Sequence, residues 1–162
     1  MSFKGHPADR AFMQHVSVED PEDAARTADV MSPLTEALGL SDMALNYYEL
    51  GPGDSMSGGL HTHMDQEELF YVLEGTATFE TPEETLELGP GEAIRFAPGE
   101  YQEGRNESDG RVRALAMGAP QDQGETRSAV PCQECGADYH VVEIGEESVT
   151  LVCPDCGNEF EV

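Results

Sequence analysis

Three side chains that can bind a metal ion, His61, His63 and Glu68, lie within a stretch of eight residues. In a β-strand, residues two apart project from the same face, so both histidines can point into one pocket. Glu68 begins the apolar run Leu69–Leu73, which is rich in β-branched and aromatic residues and ends shortly before Gly75, as a strand entering a turn does. The pattern predicts neighbouring β-strands that carry two imidazoles and a carboxylate.

This ligand set indicates a divalent metal centre. Two neutral imidazoles and one carboxylate on a rigid sheet leave coordination positions open, which suits Fe²⁺ and, less selectively, Mn²⁺, Zn²⁺ or Ni²⁺. The alternative is a polar cluster that holds a small molecule, or nothing, without a metal.

The spacing of the two histidines, Glu68 and Gly75 resembles the first motif of the cupin superfamily. The stretch Gly91–Asn106 keeps the glycines and the asparagine of the second motif. The resemblance covers roughly residues 41–118. It implies an all-β fold, a double-stranded β-helix (cupin jelly-roll) barrel with a metal centre in its mouth.

The sequence departs from the cupin pattern at three places. Ala97 replaces a proline, with Pro98 beside it, and the leading glycine of the first motif is displaced from His61. Gln102 stands where the family has the histidine that completes the metal site. The Gln102 carbonyl could coordinate a hard cation, or its amide could hydrogen-bond a metal-bound water or the substrate. We favour the hydrogen-bonding role.

The charge of the chain is extreme. There are 33 acidic and 8 basic residues, Lys4 is the only lysine, and the formal net charge is −25. Such a surface repels itself at low ionic strength, whereas molar salt shortens the Debye length to about 3 Å. The composition resembles that of proteins from extreme halophiles, with ordinary acidity as the alternative. Nucleic acid and anionic membranes are poor partners, because phosphate binding needs clustered basic residues.

All four cysteines lie near the end of the chain, as Cys132-x-x-Cys135 and Cys153-x-x-Cys156, with 17 residues between the pairs. This spacing is typical of a four-cysteine zinc site. A hairpin predicted between the pairs completes a small zinc ribbon. We expect a structural Zn²⁺, because four thiolates leave no open coordination position. A redox role for the cysteine pairs is the alternative.

The ribbon points to a protein partner, or to packing on the barrel of the same or a neighbouring subunit, rather than to nucleic acid. Residues 130–162 contain eight acidic residues and no lysine or arginine. His140 is interpreted as a strand residue, since the four cysteines already suffice as ligands. No secretory signal or membrane span is visible, so we expect a cytoplasmic protein whose thiols stay reduced.

Composition divides the chain into four parts: an N-terminal extension with a short helix (1–40), the barrel (41–118), a polar linker (119–129) and the ribbon (130–162). Asp20–Asp23 could begin a helix. Ser32–Gly39 has the start and stop signals of a helix, with a capping serine, a proline in the first turn and a terminating glycine. Barrel strands are predicted near residues 43–50, 68–74, 76–81, 84–88, 92–97 and 111–118.

The strand after Glu68 is apolar on both faces, with Phe70 and Val72 toward the site and Leu69, Tyr71 and Leu73 on the other side. A one-sided sheet alternates apolar and polar residues, so the outer face needs a cover. The N-terminal segment or a second subunit could provide it. The cupin resemblance points toward a homodimer.

Three hypotheses for function remain open. The barrel could be a metal-dependent enzyme acting on a small molecule, either a dioxygenase-like oxidoreductase or an isomerase-like Lewis-acid catalyst. It could instead be a non-catalytic sensor of a metal or metabolite whose ribbon docks a protein partner, or a structural partner subunit. Pocket walls are expected from Tyr48, Met56, Phe70, Phe79, Phe96 and Tyr101.

Overall fold

The computed structural model describes residues 13–145 and 148–162. The sequence also suggests an edge strand at Phe12–Val18. Phe12 lies outside the described residues, and residues 13–18 form no strand. The described part contains one helix, Leu34–Ala37 (α1), and no helix there has the length and apolar character needed to span a membrane. The strands are β1 (Val30–Pro33), β2 (Ala44–Leu50), β3 (His61–His63), β4 (Glu67–Glu74), β5 (Ala77–Glu80), β6 (Thr85–Leu88), β7 (Ala93–Phe96), β8 (Glu103–Arg105), β9 (Val112–Ala119), β10 (Thr126–Ser128), β11 (His140–Ile144), β12 (Val149–Val152) and β13 (Glu159–Glu161).

Antiparallel sheets build the barrel around an aromatic core. One sheet has the order β1-β2-β9-β4-β7, and a second has the order β6-β5-β8. Between them Phe70, Phe79 and Phe96 pack with ring centroids 5.0 to 6.2 Å apart. Every barrel strand predicted from the sequence is present, and the prediction of an all-β cupin-type barrel is confirmed.

A third sheet joins the barrel to the C-terminal segment, in the order β13-β12-β11-β10-β3. Strand β10 lies between β3 and β11 and pairs with both. Residues 126–128 of the predicted linker are therefore ordered sheet, and they connect the histidine-bearing strand of the barrel to the ribbon hairpin.

The N-terminal helix is shorter than expected from Ser32–Gly39, and Asp20–Asp23 is a bend followed by irregular backbone instead of a helix. Ser32 lies in β1 opposite Tyr47, so its backbone belongs to the sheet. Its hydroxyl donates to the Val18 carbonyl, and the helix begins after Pro33 without a side-chain cap. Sheet pairing here overrides the capping pattern.

Two cupin-motif residues have structural roles. Gly75 has a φ of 77°, and a Cβ there would lie 2.2 Å from the Arg111 carbonyl oxygen, so the turn after β4 requires glycine. Asn106 is 1% exposed, and its amide nitrogen lies 3.0, 3.0 and 2.7 Å from the carbonyl oxygens of Leu50, Gly51 and Gly110. The amide thereby ties two loops together.

Few cations balance the surface acids. Lysine is absent from the described residues, and five of their six arginines pair with glutamate. These arginines are Arg95, Arg105, Arg111, Arg113 and Arg127. Most of the negative charge therefore has no nearby positive partner.

Replacing Asn106 with alanine should lower the free energy of unfolding by about 3 kcal/mol, because it leaves buried backbone carbonyls without a donor. Denaturant titration in molar salt measures the change. Asn158→Ala is the matched control, since Asn158 is half-buried and accepts the Cys153 N–H through its backbone carbonyl, which alanine keeps. Equal small losses in both variants would contradict the tie between the loops.

Raising KCl from about 0.1 to about 2 M should raise the thermal unfolding midpoint, because screening removes the repulsion among the acids. Differential scanning fluorimetry measures the midpoint. A midpoint that falls with KCl would mean that the arginine–glutamate pairs outweigh that repulsion. The pH and the buffer are held constant, so that only the KCl concentration changes between samples.

Candidate metal centre

The three predicted metal ligands meet at the junction of β3 and β4. His61 and His63 project from the same face of β3, and Glu68 lies in β4. One donor atom from each residue lies within 4.8 Å of the other two. His63 Nε2 is 3.4 Å from Glu68 Oε1. The trio could hold a metal ion.

Hydrogen bonds orient both imidazoles. His61 Nδ1 lies 2.9 Å from the Gly59 carbonyl oxygen, which can only accept, so Nδ1 carries the proton and Nε2 is free to bind a cation. Burial lowers the pKa of His61, which favours the neutral form that coordinates metal. His63 Nδ1 lies 2.9 Å from the hydroxyl oxygen of Thr126, which leaves His63 Nε2 facing the carboxylate.

Thr126 was not foreseen as part of the site. It lies on β10 directly opposite His63, so the two side chains share a face of the sheet. Residues 126–128 are all polar and lie in a polar segment, so the sequence does not distinguish this short strand from its surroundings.

Gln102 completes the polar cluster. Gln102 and His61 exchange backbone hydrogen bonds, which places their side chains on one face. The amide nitrogen donates to Glu68 Oε2 at 2.8 Å and lies 3.3 Å from His61 Nε2. The side chain is 1% exposed, and its Oε1 has no hydrogen-bond partner.

The four side chains fit a divalent cation. Two imidazoles with free Nε2 atoms and one carboxylate are a mixed nitrogen and oxygen donor set that first-row metals accept. A buried carbonyl oxygen without a partner is unfavourable. A 180° flip of the Gln102 amide would place Oε1 where the amide nitrogen now lies, beside His61 Nε2 and Glu68 Oε2. Gln102 can therefore act either as a donor to Glu68 or as a carbonyl ligand.

A large cleft opens from the trio. Its volume is about 740 Å³, within the usual range for small-molecule sites. Of the predicted wall residues, Tyr48, Met56 and Phe70 line it. Burial raises the pKa of Tyr48 to about 12, with a further contribution from the Glu68 charge, so its hydroxyl stays protonated at neutral pH.

The other three predicted wall residues do not line the cleft. Phe79 and Phe96 are buried in the barrel core behind Phe70. Tyr101 precedes Gln102 in extended backbone, so strand alternation turns it to the opposite side. Sequence patterns identify inward-facing aromatic residues, but they do not separate core positions from cleft positions.

The four cysteines meet at the tip of the ribbon, where their sulfur atoms all lie within 4.8 Å of one another. The closest pairs, Cys132 with Cys156 and Cys135 with Cys153, have Sγ–Sγ distances of 3.7 and 3.5 Å. A tetrahedral zinc site with Zn–S bonds of about 2.3 Å has sulfur separations of about 3.8 Å. The cluster is therefore of the size that a tetrahedral cation requires.

The two cysteine pairs have the same turn geometry. The backbone N–H groups of Gly136 and Gly157 donate to the carbonyls of Cys132 and Cys153, and both glycines have positive φ. The backbone N–H of Cys156 lowers the pKa of the Cys153 thiol to about 6, so the turn stabilises the thiolate form that binds metal.

Comparisons with known proteins agree with the barrel and its motifs. Residues 46–118 match the family Cupin_2, Cupin domain. This match, the barrel topology and the histidine–glutamate motif make that part of the chain similar to cupin domains. None of the curated proteins matches the chain.

Solved structures with the same fold carry several different descriptions. The polyketide cyclase RemF from Streptomyces resistomycificus is 27% identical, covers 75% of this chain and 89% of its own, and gives a TM-score of 0.62. A cupin-superfamily sugar phosphate isomerase from Silicibacter pomeroyi is 17% identical, with 91% of each chain covered and a TM-score of 0.61. A predicted oxalate decarboxylase from Thermotoga maritima is 22% identical, covers 66% of this chain and 99% of its own, and gives a TM-score of 0.56. The last two are similar in fold alone.

Replacing Thr126 with valine should weaken metal binding at the barrel by about tenfold or more, because His63 loses the hydroxyl that orients its ring. Competition with a chromogenic chelator measures the affinity. Thr62→Val is the matched control, since Thr62 is buried on the same strand pair and its hydroxyl has no hydrogen-bond partner. Equal affinities in the two variants would show that Thr126 does not orient the ligand.

Proposed function

We propose that the protein is a metal-dependent enzyme of the cupin type that acts on a small organic molecule at a divalent cation held by His61, His63 and Glu68. The observation that carries this proposal is the position of the three donors, which lie together where a 740 Å³ cleft reaches the barrel. A site used only for structure would have no reason to adjoin such a cleft.

The favoured chemistry is activation of a carbonyl or hydroxyl group. A bound cation would act as a Lewis acid that polarises this group. Glu68 serves as a ligand in this scheme, and Gln102 holds its carboxylate in place through the hydrogen bond to Oε2. The protonated hydroxyl of Tyr48 supplies a hydrogen-bond donor for a substrate oxygen, since it lines the same cleft. The description of the 27% identical relative as a polyketide cyclase supports carbonyl chemistry without identifying the substrate.

The same donor set also suits oxygen chemistry, because two histidines and one carboxylate with open positions are typical of non-haem Fe²⁺ oxygenases. The dioxygenase-like form of the proposal therefore differs from the Lewis-acid form in its metal and in its need for O₂. Anaerobic turnover distinguishes the two forms.

We also propose a structural Zn²⁺ at the four cysteines. The symmetry of the two turns and the sulfur separations support it. The ribbon hairpin pairs through β10 with β3, so the cysteine-bearing hairpin and the strand that carries the histidines belong to one sheet.

A second candidate function is that of a sensor that passes the metal state of the barrel to a protein partner. The hydrogen bond between His63 Nδ1 and the Thr126 hydroxyl favours it, since Thr126 begins the strand that pairs with the ribbon hairpin. The sensor would bind a metal or metabolite without turnover. It would also show hydrogen-exchange changes in β11 and β12 when the barrel metal is added.

A homodimer remains a proposal as well. Tyr71 and Leu73 on the outer face of β4 are 36% and 44% exposed, so that apolar face is not covered within the described part of one chain. The mass of the protein in molar salt, measured by light scattering, tests it.

Metal counting by mass spectrometry in molar salt should find two metals per chain, of which His63→Ala loses one and Cys135→Ser loses the other. His63→Ala should also abolish turnover of a panel of hydroxycarbonyl and dicarbonyl compounds. His15→Ala is the control, because that histidine is exposed and outside the site. A single metal in the wild type that His63→Ala retains would rule out the barrel centre and the enzyme with it. Two metals with no turnover would leave the sensor.

A further inference from the structure

The sheet of the ribbon has one apolar face, and that face lines the cleft of the metal centre. Strand pairing places Val142 opposite Leu151 and Leu151 opposite Phe160, so the three side chains form a row across β11, β12 and β13. Ile144 lies opposite Val149 in the next row. All five line the same cleft as His61, His63 and Glu68.

The other face of this sheet is more polar. Glu143 lies opposite Thr150, and Thr150 lies opposite Glu161, so these residues occupy the rows between the apolar ones. A freely solvated hairpin has no reason to collect its apolar residues on one side. Phe160 and Ile144 are nevertheless 39% and 64% exposed, so the described residues of the chain do not cover this face.

The cleft is almost free of acidic residues. The chain has 33 aspartates and glutamates, yet Glu68 is the only one among the described residues that line the cleft. Glu68 is also one of the three proposed metal donors, so the other described residues of the wall contribute no carboxylate. Because acids cover the rest of this highly charged chain, their absence here indicates an occupant that is apolar or anionic rather than cationic.

The positions of the basic residues show which part of the wall suits an apolar occupant and which suits an anionic one. Within the described part of the chain, Arg26 is the only arginine that lines the cleft, and it belongs to the N-terminal segment. The described lining residues of the ribbon are all valine, leucine, isoleucine or phenylalanine. The ribbon side therefore fits hydrocarbon, which would be stabilised there by burial of apolar surface.

We propose that the ribbon is a wall of the substrate site, and that the substrate combines a metal-binding oxygen head with an apolar body that lies on Val142, Leu151 and Phe160. This inference rests on the proposed metal centre. It adds the substrate class, an amphipathic molecule with an aliphatic or aromatic body, and it gives the ribbon a direct part in recognition besides its structural zinc. A second copy of the chain covering the apolar face is the competing occupant.

A series of straight-chain acyl hydroxamates on the zinc-loaded protein tests the inference. The head chelates metal, and the chain lengthens from acetohydroxamate through hexanohydroxamate to octanohydroxamate. Isothermal titration calorimetry in molar KCl measures the dissociation constants, with metal content checked after each titration. We expect about two- to fourfold tighter binding for each methylene that reaches the wall, from the transfer free energy of a CH₂ group.

Val142→Ser and Val141→Ser form the matched pair of variants. The two valines are neighbours on β11, both are half-buried, and they point to opposite faces, so the substitutions disturb folding similarly. Val142→Ser should remove most of the gain in affinity from acetohydroxamate to octanohydroxamate, with both dissociation constants measured on the same variant. Val141→Ser should keep the wild-type gain.

The outcomes separate this inference from the proposed function. Failure of acetohydroxamate to bind at a site removed by His63→Ala would overturn the metal centre itself. Binding of acetohydroxamate with no gain along the series, or an equal loss in Val141→Ser and Val142→Ser, would keep the metal centre and overturn the apolar wall. A second copy on the apolar face would give this last result together with a dimer that Phe160→Ser dissociates.

Discussion

The pairing of β10 with β3 is the contact on which the rest of the site depends. It places the Thr126 hydroxyl against His63, and it sets the ribbon hairpin beside the mouth of the barrel. Without this three-residue strand, His63 would lack the partner at its Nδ1 atom. The cysteine cluster would then belong to a separate module with no connection to the donor trio. One short strand therefore joins the histidine–glutamate trio, the cleft and the cysteine-bearing hairpin into a single arrangement.

Local patterns were enough to predict most of the barrel and its donors. The alternation at His61 and His63 and the apolar run after Glu68 depend on neighbouring residues, and both describe β3 and β4 as they are. Strand β10 was missed because its stability comes from pairing with two strands distant in sequence rather than from its own composition. The helix expected from Ser32 was shortened for the same reason, since pairing of β1 with β2 uses the backbone that the cap would have needed.

The split among the predicted aromatic wall residues shows a second limit of the sequence. Phe70 and Phe79 both point inward, but only Phe70 reaches the cleft, because Phe79 lies on the opposing sheet and is fully buried against it. Inward direction is a property of one strand, whereas access to the cleft depends on where two sheets separate. The apolar face of the ribbon is the converse case. From the sequence, its valines and leucine predict a hairpin and nothing more. The pairing of β10 with β11 is what places them in the cleft beside the histidine–glutamate trio.

The high net negative charge makes the scarcity of carboxylates in the cleft more informative than it would be in a neutral protein. In a chain with 33 acids and 8 basic residues, each surface without a carboxylate is a departure from the prevailing composition. Among the described residues that line the cleft, Glu68 is the single carboxylate, and it belongs to the histidine–glutamate trio. The ribbon side of the cleft is lined by apolar side chains. A cation would be attracted to almost any other part of the molecule, so electrostatics alone would not guide it to the trio. If the trio binds a metal as proposed, selectivity for the site comes from the geometry of the imidazoles, which Gly59 and Thr126 hold, and from the apolar body of the proposed substrate, which the acidic surface elsewhere cannot bury.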